Sequence, residues 1–550
     1  MAERRLPRLS ELPVLSVLPS AQDWPLHGVA ASRRIEKAAL ASHPSGLLMA
    51  RAGLAVARLA AALQPHGSSV WLLAGPGNNG GDALVAATHL KAWGWQVQVS
   101  LLGQPQTLPA DAHRAWQQAL AAGVPVHEGL LVQVDADLCI DGLLGLGVSR
   151  PPSGALAEGI RLLNRQSAPV LAIDLPSGLA GDTGAAVDDL AVRASHTLSL
   201  LTLKPGLFTA QGRDLAGRVW LDRLGLTPGK RGDLPGAPDA DAWLAGPPSP
   251  PPRLHAHHKG SFGDLLVLGG APGMGGAALL AARAALQAGA GRVFLGRLGQ
   301  AHRPDDDNLQ PDPQQPELMT CRPGALLLPE RLARLTVVLG CGGGDAVQAT
   351  MPLVLQHAAR LVLDADALNS LAGNPALWDL LCARHQPTVL TPHPLEAARL
   401  LACSTQAVQA DRLAAAQALA ERGRATVVLK GSGTVVAAPG RPPWVVPTGN
   451  ARLGTGGTGD VLAGWLGGWL AGRLADWPGH GWVGEAAGQP DRADSQVACS
   501  RQVACTQQVA CAAAWLHGHA ADMAPGPGPL PASQLIKAMA AALGRLPPPN

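Results

Sequence analysis

At 550 residues, with apolar side chains making up 47% of the chain, the sequence is too long for one compact domain and holds material for two or three cores. A net charge of +3 with no long basic run argues against nucleic acid as a partner. No apolar run reaches the roughly 20 residues of a membrane span, so no membrane association is expected.

The opening stretch MAERRLPRLSELPVLSVLP is basic, but its weak apolar segment is broken by prolines and a glutamate, which argues against a signal peptide. Of eight cysteines, three (499, 505, 511) belong to a short repeat and the rest are scattered without C-x-x-C pairs. Reduced thiols in the cytoplasm, with no metal cluster, are expected. The chain has no Tyr, three Phe and only seven Lys, so each Lys that survives the bias toward Arg and Ala draws notice.

From 70 to about 225, strand-like runs alternate with glycine-rich turns and helical stretches. VWLLAG (70–75) leads into GNNGGD (77–82) and the helical DALVAATHLKAWG (82–94). WQVQVSLLG (95–103), DADLCIDGLLGLG (135–147), APVLAIDLPSG (168–178) and HTLSLLTLKPGL (196–207) follow. This alternation predicts a parallel α/β sheet, with ligands beyond the carboxyl ends of its strands. The asparagine loop, Asp141 and Asp174–Ser177 then share one rim.

A proline cluster in 234–260 excludes helix and central strand and predicts a boundary near 240. Strand-like runs resume with DLLVLGG (264–270), GRVFLG (291–296), LTVVLGCGGG (335–344), RLVLDADALN (360–369), PTVLTPHPLE (387–396) and ATVVLKGSGTVVAAP (425–439). Helices are expected from 459 onward. The hexapeptide repeat SQVACS–RQVACT–QQVACA (495–512) reads as duplication within an exposed insertion rather than as a thiol site, since three units fall short of a solenoid.

The rim of the first half is rich in oxygen. Asn79, Asp141 and Ser177 can hold a weakly charged cation, and glycines 77, 80 and 81 let backbone amides approach an anionic ligand. The turn DGLLGLGVSR (141–150) ends in Arg150, suited to a phosphate. Asp174, closing a strand just before a Pro-Ser-Gly turn, is a candidate general base or acid, although an Asp there is more often a cap.

In the second half, Lys430 stands at a strand end before Gly431 and Gly433, suited to a nucleotide phosphate. GTGGTGD (454–460) opens a helix whose first amides form an anion site. Asp460 in that first turn would repel a phosphate, so its candidate task is taking a proton from an attacking hydroxyl. The plain alternative is an acidic residue favoured by the helix dipole. His393, between two prolines, and Glu396 are further candidates.

Together GNNGGD, D-x-L-x-G-x-G-x-x-R (141–150) and I-D-x-P-S-G-L-x-x-D-T-G (173–184) resemble the NAD(P)H-hydrate epimerases over about 25 to 225. The resemblance implies that Asn78, Asn79, Gly80, Gly81, Asp82, Gly145, Leu146, Gly147, Val148, Ser149, Arg150 and Asp174 bind the hydrated dinucleotide. It implies K+ on Asn79, Asp141 and Ser177, and a catalytic role for Asp174. Ala83 and Leu144 depart from the family's usual Gly and Phe.

HKGSFG (258–263), the helix GGAALLAARAALQAGAG, DADALN, TPHPLE, LKGSGT (429–434) and GTGD (457–460) resemble the ribokinase-like, ADP- or ATP-dependent NAD(P)H-hydrate dehydratases. The resemblance implies Mg2+ with ADP or ATP. It implies nucleotide contacts at Lys430, Gly431, Ser432, Gly433, Thr434 and Gly459, and hydrate contacts at Ala277, Gly344, His393 and the catalytic Asp460. The family's G-P-G-L-G reads GCGGG (340–344) here, and replacing Pro by Cys is expected to loosen that turn.

The expected organisation is an epimerase domain (25–235, Rossmann-like parallel sheet), a Pro-rich linker (236–258) and a dehydratase domain (255–545) with an insertion at 475–508. The expected substrates are the R and S hydrates of NADH and NADPH (NADHX and NADPHX) with ADP or ATP, and a homo-oligomer is compatible with this reading. Two alternatives stand beside it: a ribokinase-like kinase of a small alcohol in the second half, and a binding or scaffold module in the first.

Overall fold

The computed structural model describes residues 22–132, 134–147, 150–226, 240–299, 311–472 and 500–546, with 15–16 and 495–499 described by backbone alone. The chain divides into two compact units, Met1–Trp243 and Leu244–Asn550.

The first unit is built on an eight-stranded sheet. Its spatial order is Leu15–Ser16, Arg218–Asp222, His196–Leu200, Val170–Ile173, Leu138–Gly142, Ser69–Ala74, Gln96–Leu101, Val126–Glu128. All neighbours are parallel except the short first strand, which pairs antiparallel with Arg218–Asp222. The run SVWLLA is apolar throughout because both its faces are covered. Val70 and Leu72 pack into one core with Val56 and Leu84, while Trp71 and Leu73 pack into another with Cys139 and Ile160.

From Ser69–Ala74 the chain builds outward to Val126–Glu128, then returns to the other side of Ser69–Ala74 as Leu138–Gly142. The loops that leave these two adjacent strands diverge, which opens a crevice at the switch of direction. Residues 75–79 and 143–147 therefore face one another across that crevice.

In the second unit the order is Met319–Cys321, Arg292–Arg297, Asp264–Gly269, Leu335–Leu339, Arg360–Leu363, Thr388–Leu390, Thr426–Leu429, Thr434–Ala438, Arg441–Val446. Pairing is parallel as far as Thr426–Leu429, and Thr434–Ala438 and Arg441–Val446 form an antiparallel hairpin. Direction switches between Asp264–Gly269 and Leu335–Leu339, which brings the 270–275 and 340–344 loops together. Helix Thr458–Ala471 lies close against helix Gly275–Gln287. A Cβ on Gly464 would stand 2.0 Å from the Ala281 carbonyl oxygen, and one on Gly468 would stand 2.7 Å from that of Ala285. The glycines thus permit the close crossing.

The hexapeptide repeat departs from the exposed insertion expected. Residues 473–494 lie outside the described residues, but Ser495–Met523 is one helix that contains all three copies. Six residues advance a helix by about 600°, so successive copies are turned by about 120° and cannot all face the same way. In the third copy Gln507, Val509 and Cys511 are buried, whereas Val503 and Cys505 of the second are half-buried. Gln507 donates to the Pro442 carbonyl (3.0 Å) and accepts from Arg441 Nε (3.2 Å). Among the described residues, no helix is long and apolar enough to cross a membrane.

Candidate active sites

In the first unit, strand Ser69–Ala74 turns through Gly75–Gly77 into helix Asn78–Ala92. A cavity of about 420 Å³ opens at this turn. Gly77, Asn78, Asn79 and Asp82 line it from one side, Gly145, Leu146 and Gly147 from another, and Asp174 from the floor. Val148 and Ser149 lie outside the described residues, and Arg150 is exposed and is not part of the lining.

Two glycines assigned to ligand approach have another task. A Cβ on Gly80 would stand 2.1 Å from the Gly75 carbonyl oxygen, and one on Gly81 would stand 2.6 Å from Met49 Cε. Gly80 is glycine because the helix seats directly on the strand's exit turn, and Gly81 because Met49 and the Ala112 backbone pack against it. Gly77, with open space at its Cβ position, is the one of the three that faces the cavity.

Behind the cavity, Asp141 is fully buried. One carboxylate oxygen accepts from Ser177 Oγ (2.6 Å) and the Leu143 N–H (3.2 Å), the other from the Ser177 N–H (2.8 Å). Burial pushes its pKa up to about 6 despite those bonds. Asn79 donates from Nδ2 to the carbonyls of Leu144 (3.1 Å) and Ile173 (3.2 Å). The Asn79 amide, a buried carboxylate, a serine and two carbonyls thus converge on one point.

Asp174 has a left-handed backbone (φ 66°) and is ion-paired to Lys204, a fully buried lysine. Lys204 Nζ also donates to Ser199 Oγ (3.2 Å) and to the carbonyls of Leu200 (3.0 Å) and Thr202 (2.9 Å). Two more acids share the cavity. Burial, with the Asp174 charge and then Glu36, holds Asp82 well above the usual carboxylate range. Glu36 is raised by burial and by Asp174, with Lys204 and Arg33 opposing. The site therefore sets two acids of raised pKa opposite a carboxylate ion-paired to a lysine. Glu36, Arg33 and Lys204 were missed in the sequence. Lys204 carried the one available signal, as a rare lysine inside a strand-end motif.

In the second unit, strand ends converge on Asp364. It is almost fully buried and accepts from Thr391 Oγ1 (2.7 Å) and Lys430 Nζ (2.8 Å). Burial alone would lower Lys430, but Asp364 and Glu396 carry its pKa above the ordinary lysine value. A Cβ on Gly459 would lie 3.3 Å from Lys430 Nζ, so the lysine reaches the helix N-terminus at Thr458. Asp460, in that first turn, is raised to about 6, by burial first and by Asp364 next. Cys341, Asp364 and Asp460 bring their side-chain heteroatoms within 4.8 Å of one another.

The GCGGG turn is not loose. Gly343 N–H bonds the Gly340 carbonyl (3.1 Å), and Gly270 and Ala271 N–H groups bond the Cys341 (3.0 Å) and Gly342 (2.7 Å) carbonyls. Gly344 N–H bonds Asp366 (2.8 Å). Gly340 (φ 117°) has no room for a side chain, since a Cβ would stand 2.0 Å from the Asp364 carbonyl oxygen. Hydrogen bonds supply the restraint that a proline would otherwise give.

His393 is the N-cap of helix Pro394–Leu401. Its Nδ1 accepts from the Leu395 (3.2 Å) and Glu396 (3.3 Å) N–H groups, and Glu396 Oε2 accepts from the His393 N–H (2.8 Å). Its Nε2 lies 3.3 Å from the other Glu396 oxygen. Ala277 is half-buried near the start of helix Gly275–Gln287, and a Cβ on Gly342 would lie 2.9 Å from its own. Gly431 (φ 138°) would meet the Arg412 guanidinium if it had a side chain, and Thr434 Oγ1 donates to the Gly431 carbonyl (3.2 Å). Ser432 and Gly433 complete the same turn, between Lys430 and strand Thr434–Ala438. His517, unassigned in the sequence, donates from Nε2 to the Thr458 carbonyl (2.9 Å), and burial lowers its pKa to about 4. As a neutral ring it ties the helix bearing Asp460 to helix Ser495–Met523.

Two parallel α/β units, each with acid-bearing loops at a switch of strand direction, and the second with a lysine and a glycine-rich helix N-terminus, define a two-site α/β enzyme. Residues 45–206 match the family described as YjeF-related protein N-terminus, and residues 265–539 match the family described as NAD(P)H-hydrate dehydratase. The second unit is thereby a mixed α/β unit with a parallel sheet that belongs with the NAD(P)H-hydrate dehydratases. The bifunctional NAD(P)H-hydrate repair enzyme Nnr of Escherichia coli K12 is 36% identical over 457 residues, covering 78% of this chain and 81% of that one. The enzyme of the same name from Gloeobacter violaceus is 39% identical, covering 80% and 88%. A solved ADP/ATP-dependent NAD(P)H-hydrate dehydratase of Bacillus subtilis is 28% identical, with a TM-score of 0.42, and covers 54% of this chain and 94% of that one. The chain belongs to the family of bifunctional NAD(P)H-hydrate repair enzymes.

Proposed function

We propose that this chain restores hydrated nicotinamide cofactors, with the first unit interconverting the R and S hydrates of NADH and NADPH and the second dehydrating the S form at the expense of ADP or ATP. The observation that carries the reading is the pair of acid sites, each at a strand switch and each on the motif of its own family. In domain terms, 25–235 is the epimerase and 255–545 the dehydratase.

In the first unit the cavity holds the hydrated ring and its phosphates. Asn78 and Asp82 offer polar contacts, and the open glycines 77, 145 and 147 leave room for phosphate. Asp174, oriented by Lys204, exchanges a proton with the hydrated ring, and Glu36 and Asp82, whose pKa values burial and the Asp174 charge raise, are the candidate acids. The group around Asp141 fits a monovalent cation such as K+, because a buried carboxylate, the Ser177 hydroxyl and two carbonyls supply oxygen, and the Asn79 amide, whose Nδ2 faces those carbonyls, would present its oxygen after a half-turn. Such an ion, when bound, fixes the two glycine turns by charge and favours the ionised form of Asp141.

In the second unit Lys430 and the amides of Gly431–Thr434 and Gly459 bind the nucleotide phosphates. Mg2+ bound with the nucleotide offsets phosphate charge. Ala277, Gly344 and His393 contact the hydrate. Asp460 takes the proton from the added hydroxyl as it attacks the terminal phosphoryl group. Elimination of that phosphate restores the dihydronicotinamide. A pKa near 6 suits this, since the group is ionised at neutral pH yet more basic than an exposed carboxylate. A cytoplasmic location belongs to the same reading, and free thiols at all seven described cysteines support it.

The test uses an epimeric mixture of hydrated NADH with ADP, ATP or neither, following the return of dihydronicotinamide absorbance. Full recovery with nucleotide is expected. Asp460→Asn should abolish it, and Asp174→Asn should stall it near one epimer's share. No recovery with either nucleotide refutes the dehydratase assignment and favours a kinase of another alcohol. Recovery of one epimer alone by the unmodified chain leaves the first unit as a binding module.

A further inference from the structure

Arg412 opens helix Arg412–Gly423 and is only 1% exposed. A guanidinium keeps its charge when buried, so the groups around it must satisfy that charge. Here the partners are neutral. Nη1 donates to Gln409 Oε1 (2.6 Å), and Nη2 donates to the carbonyls of Leu429 (3.1 Å) and Lys430 (3.2 Å). Nε has no partner, and among the described residues no carboxylate pairs with the group.

The two carbonyls begin the loop that joins strands Thr426–Leu429 and Thr434–Ala438. A trans peptide sets its N–H opposite its C=O. With the Leu429 carbonyl held by Arg412, the Lys430 N–H points the other way and meets the Pro392 carbonyl (2.9 Å). With the Lys430 carbonyl held as well, the Gly431 N–H is turned away from the buried guanidinium. Gly431 is exposed, and its φ of 138° is one that L side chains rarely adopt. A Cβ there would stand 2.9 Å from Arg412 Nη2, 3.0 Å from Nη1 and 3.2 Å from Cζ. All three nearest atoms belong to Arg412, so the loop is fitted to the guanidinium.

We propose that Arg412 is a positioning residue of the nucleotide site, clamping the Lys430–Gly431 peptide with its N–H outward and keeping a buried positive charge behind the bound phosphates. The proposal rests on the reading of Lys430–Thr434 as the nucleotide loop. A buried cation solvated by neutral groups alone favours an anion beside it, and a phosphate on the Gly431 amide supplies one. Of the two cations at this loop, Lys430 is already bonded to Asp364 (2.8 Å), which leaves Arg412 as the one without a carboxylate.

Two measurements on the full chain test this. The first is the dissociation constant of ADP, and of ATP, by titration calorimetry with no hydrate present. Arg412→Met should weaken binding roughly ten- to hundredfold, the scale of losing hydrogen bonds to a charged group. Arg412→Lys keeps the charge but loses the planar fork, and should fall between. In dehydration assays the loss should appear in KM for the nucleotide, with KM for the hydrate holding within about twofold. Variants that melt earlier yet bind nucleotide within about threefold of wild type reveal a packing role and overturn the proposal.

The second uses Gly431→Ala, which presses on the guanidinium from the exposed loop and leaves the helix unaltered. Its loss of ADP affinity should overlap with that of Arg412→Met, the double variant binding within about threefold of the weaker single one, because both break one clamp. Losses that multiply in the double variant, or a Gly431→Ala chain that binds like wild type, overturn the proposal. If Arg412→Met does not fold, Arg412→Lys takes its place in the cycle. A wild-type chain that binds neither nucleotide refutes the reading of the loop itself. A wild type that binds, with variants that bind as tightly, refutes the clamp alone.

Discussion

Lys204→Met isolates the most deeply buried charge pair of the first site. The lysine is 1% exposed and its partner carboxylate on Asp174 is 10% exposed. With the ammonium gone, Asp174 keeps the Leu200 N–H at 3.2 Å. Leaving one charge of a buried pair uncompensated costs about 3–5 kcal/mol. Because the two units need not unfold together, the effect is best read locally, by native-state hydrogen exchange of the amides in Val170–Ile173 and His196–Leu200. Their protection should fall by roughly two to nearly four orders of magnitude, since each factor of ten is about 1.4 kcal/mol. Adding Asp174→Leu removes the orphaned charge, so the double variant should regain at least about 2 kcal/mol relative to the single one. A single variant that loses less than about 1 kcal/mol, or a double variant that regains nothing, refutes the assignment of Lys204 and Asp174 as a coupled buried pair.

Other perturbations separate the remaining roles. Because folding raises Asp141 to about 6, its contribution to stability is greatest below the unfolded value near 4 and falls, on the order of 3 kcal/mol, as pH rises through 6. K+ should therefore raise the melting temperature above pH 6 and have little effect at pH 5, relative to a bulky organic cation at equal ionic strength. Asp141→Asn should lose that response. Gly80→Ala drives a methyl into the Gly75 backbone and should cost about 2 kcal/mol or more, whereas Gly77→Ala, in open space, should change stability by less than about 0.5 kcal/mol in the same thermal melts. Gly464→Ala should lower the melting transition of the second unit, as it forces apart the helices beginning at Thr458 and Gly275. The rate of nucleotide-dependent dehydration should rise with pH through a limb near 6 as Asp460 ionises. A flat profile between pH 5 and 7 would remove it as the base.

Much of this was legible along the chain. GNNGGD and GTGGTGD were read as helix entries, and that is where Asn78 and Thr458 begin their helices. Asp141, Asp174, Lys430 and Asp460 were all singled out. What escaped were residues whose significance comes from distant partners. Glu36 lies on an early helix in a stretch (33–53) that fits the family but gave it no role, and it joins the first cavity only when that helix folds near Asp174. Asp364 sat inside a recognised hexapeptide but showed no role until Lys430, 66 residues away, closed on it. The packing at Gly80 and Gly81 was not legible, because a glycine that admits a ligand and one that admits a neighbouring group look the same in sequence.

The sequence by itself determined the alternation of strands and helices, the glycine turns at strand ends, and the acids those turns carry. These follow from local periodicity and from what each residue type allows the backbone to do. Only the tertiary structure decided the burial that shifts those acids, the lysines that pair with Asp174 and Asp364, and which copy of a repeated hexapeptide is buried. The reason is that desolvation and charge pairing depend on groups tens of residues away in the chain, and neither leaves a local pattern to read.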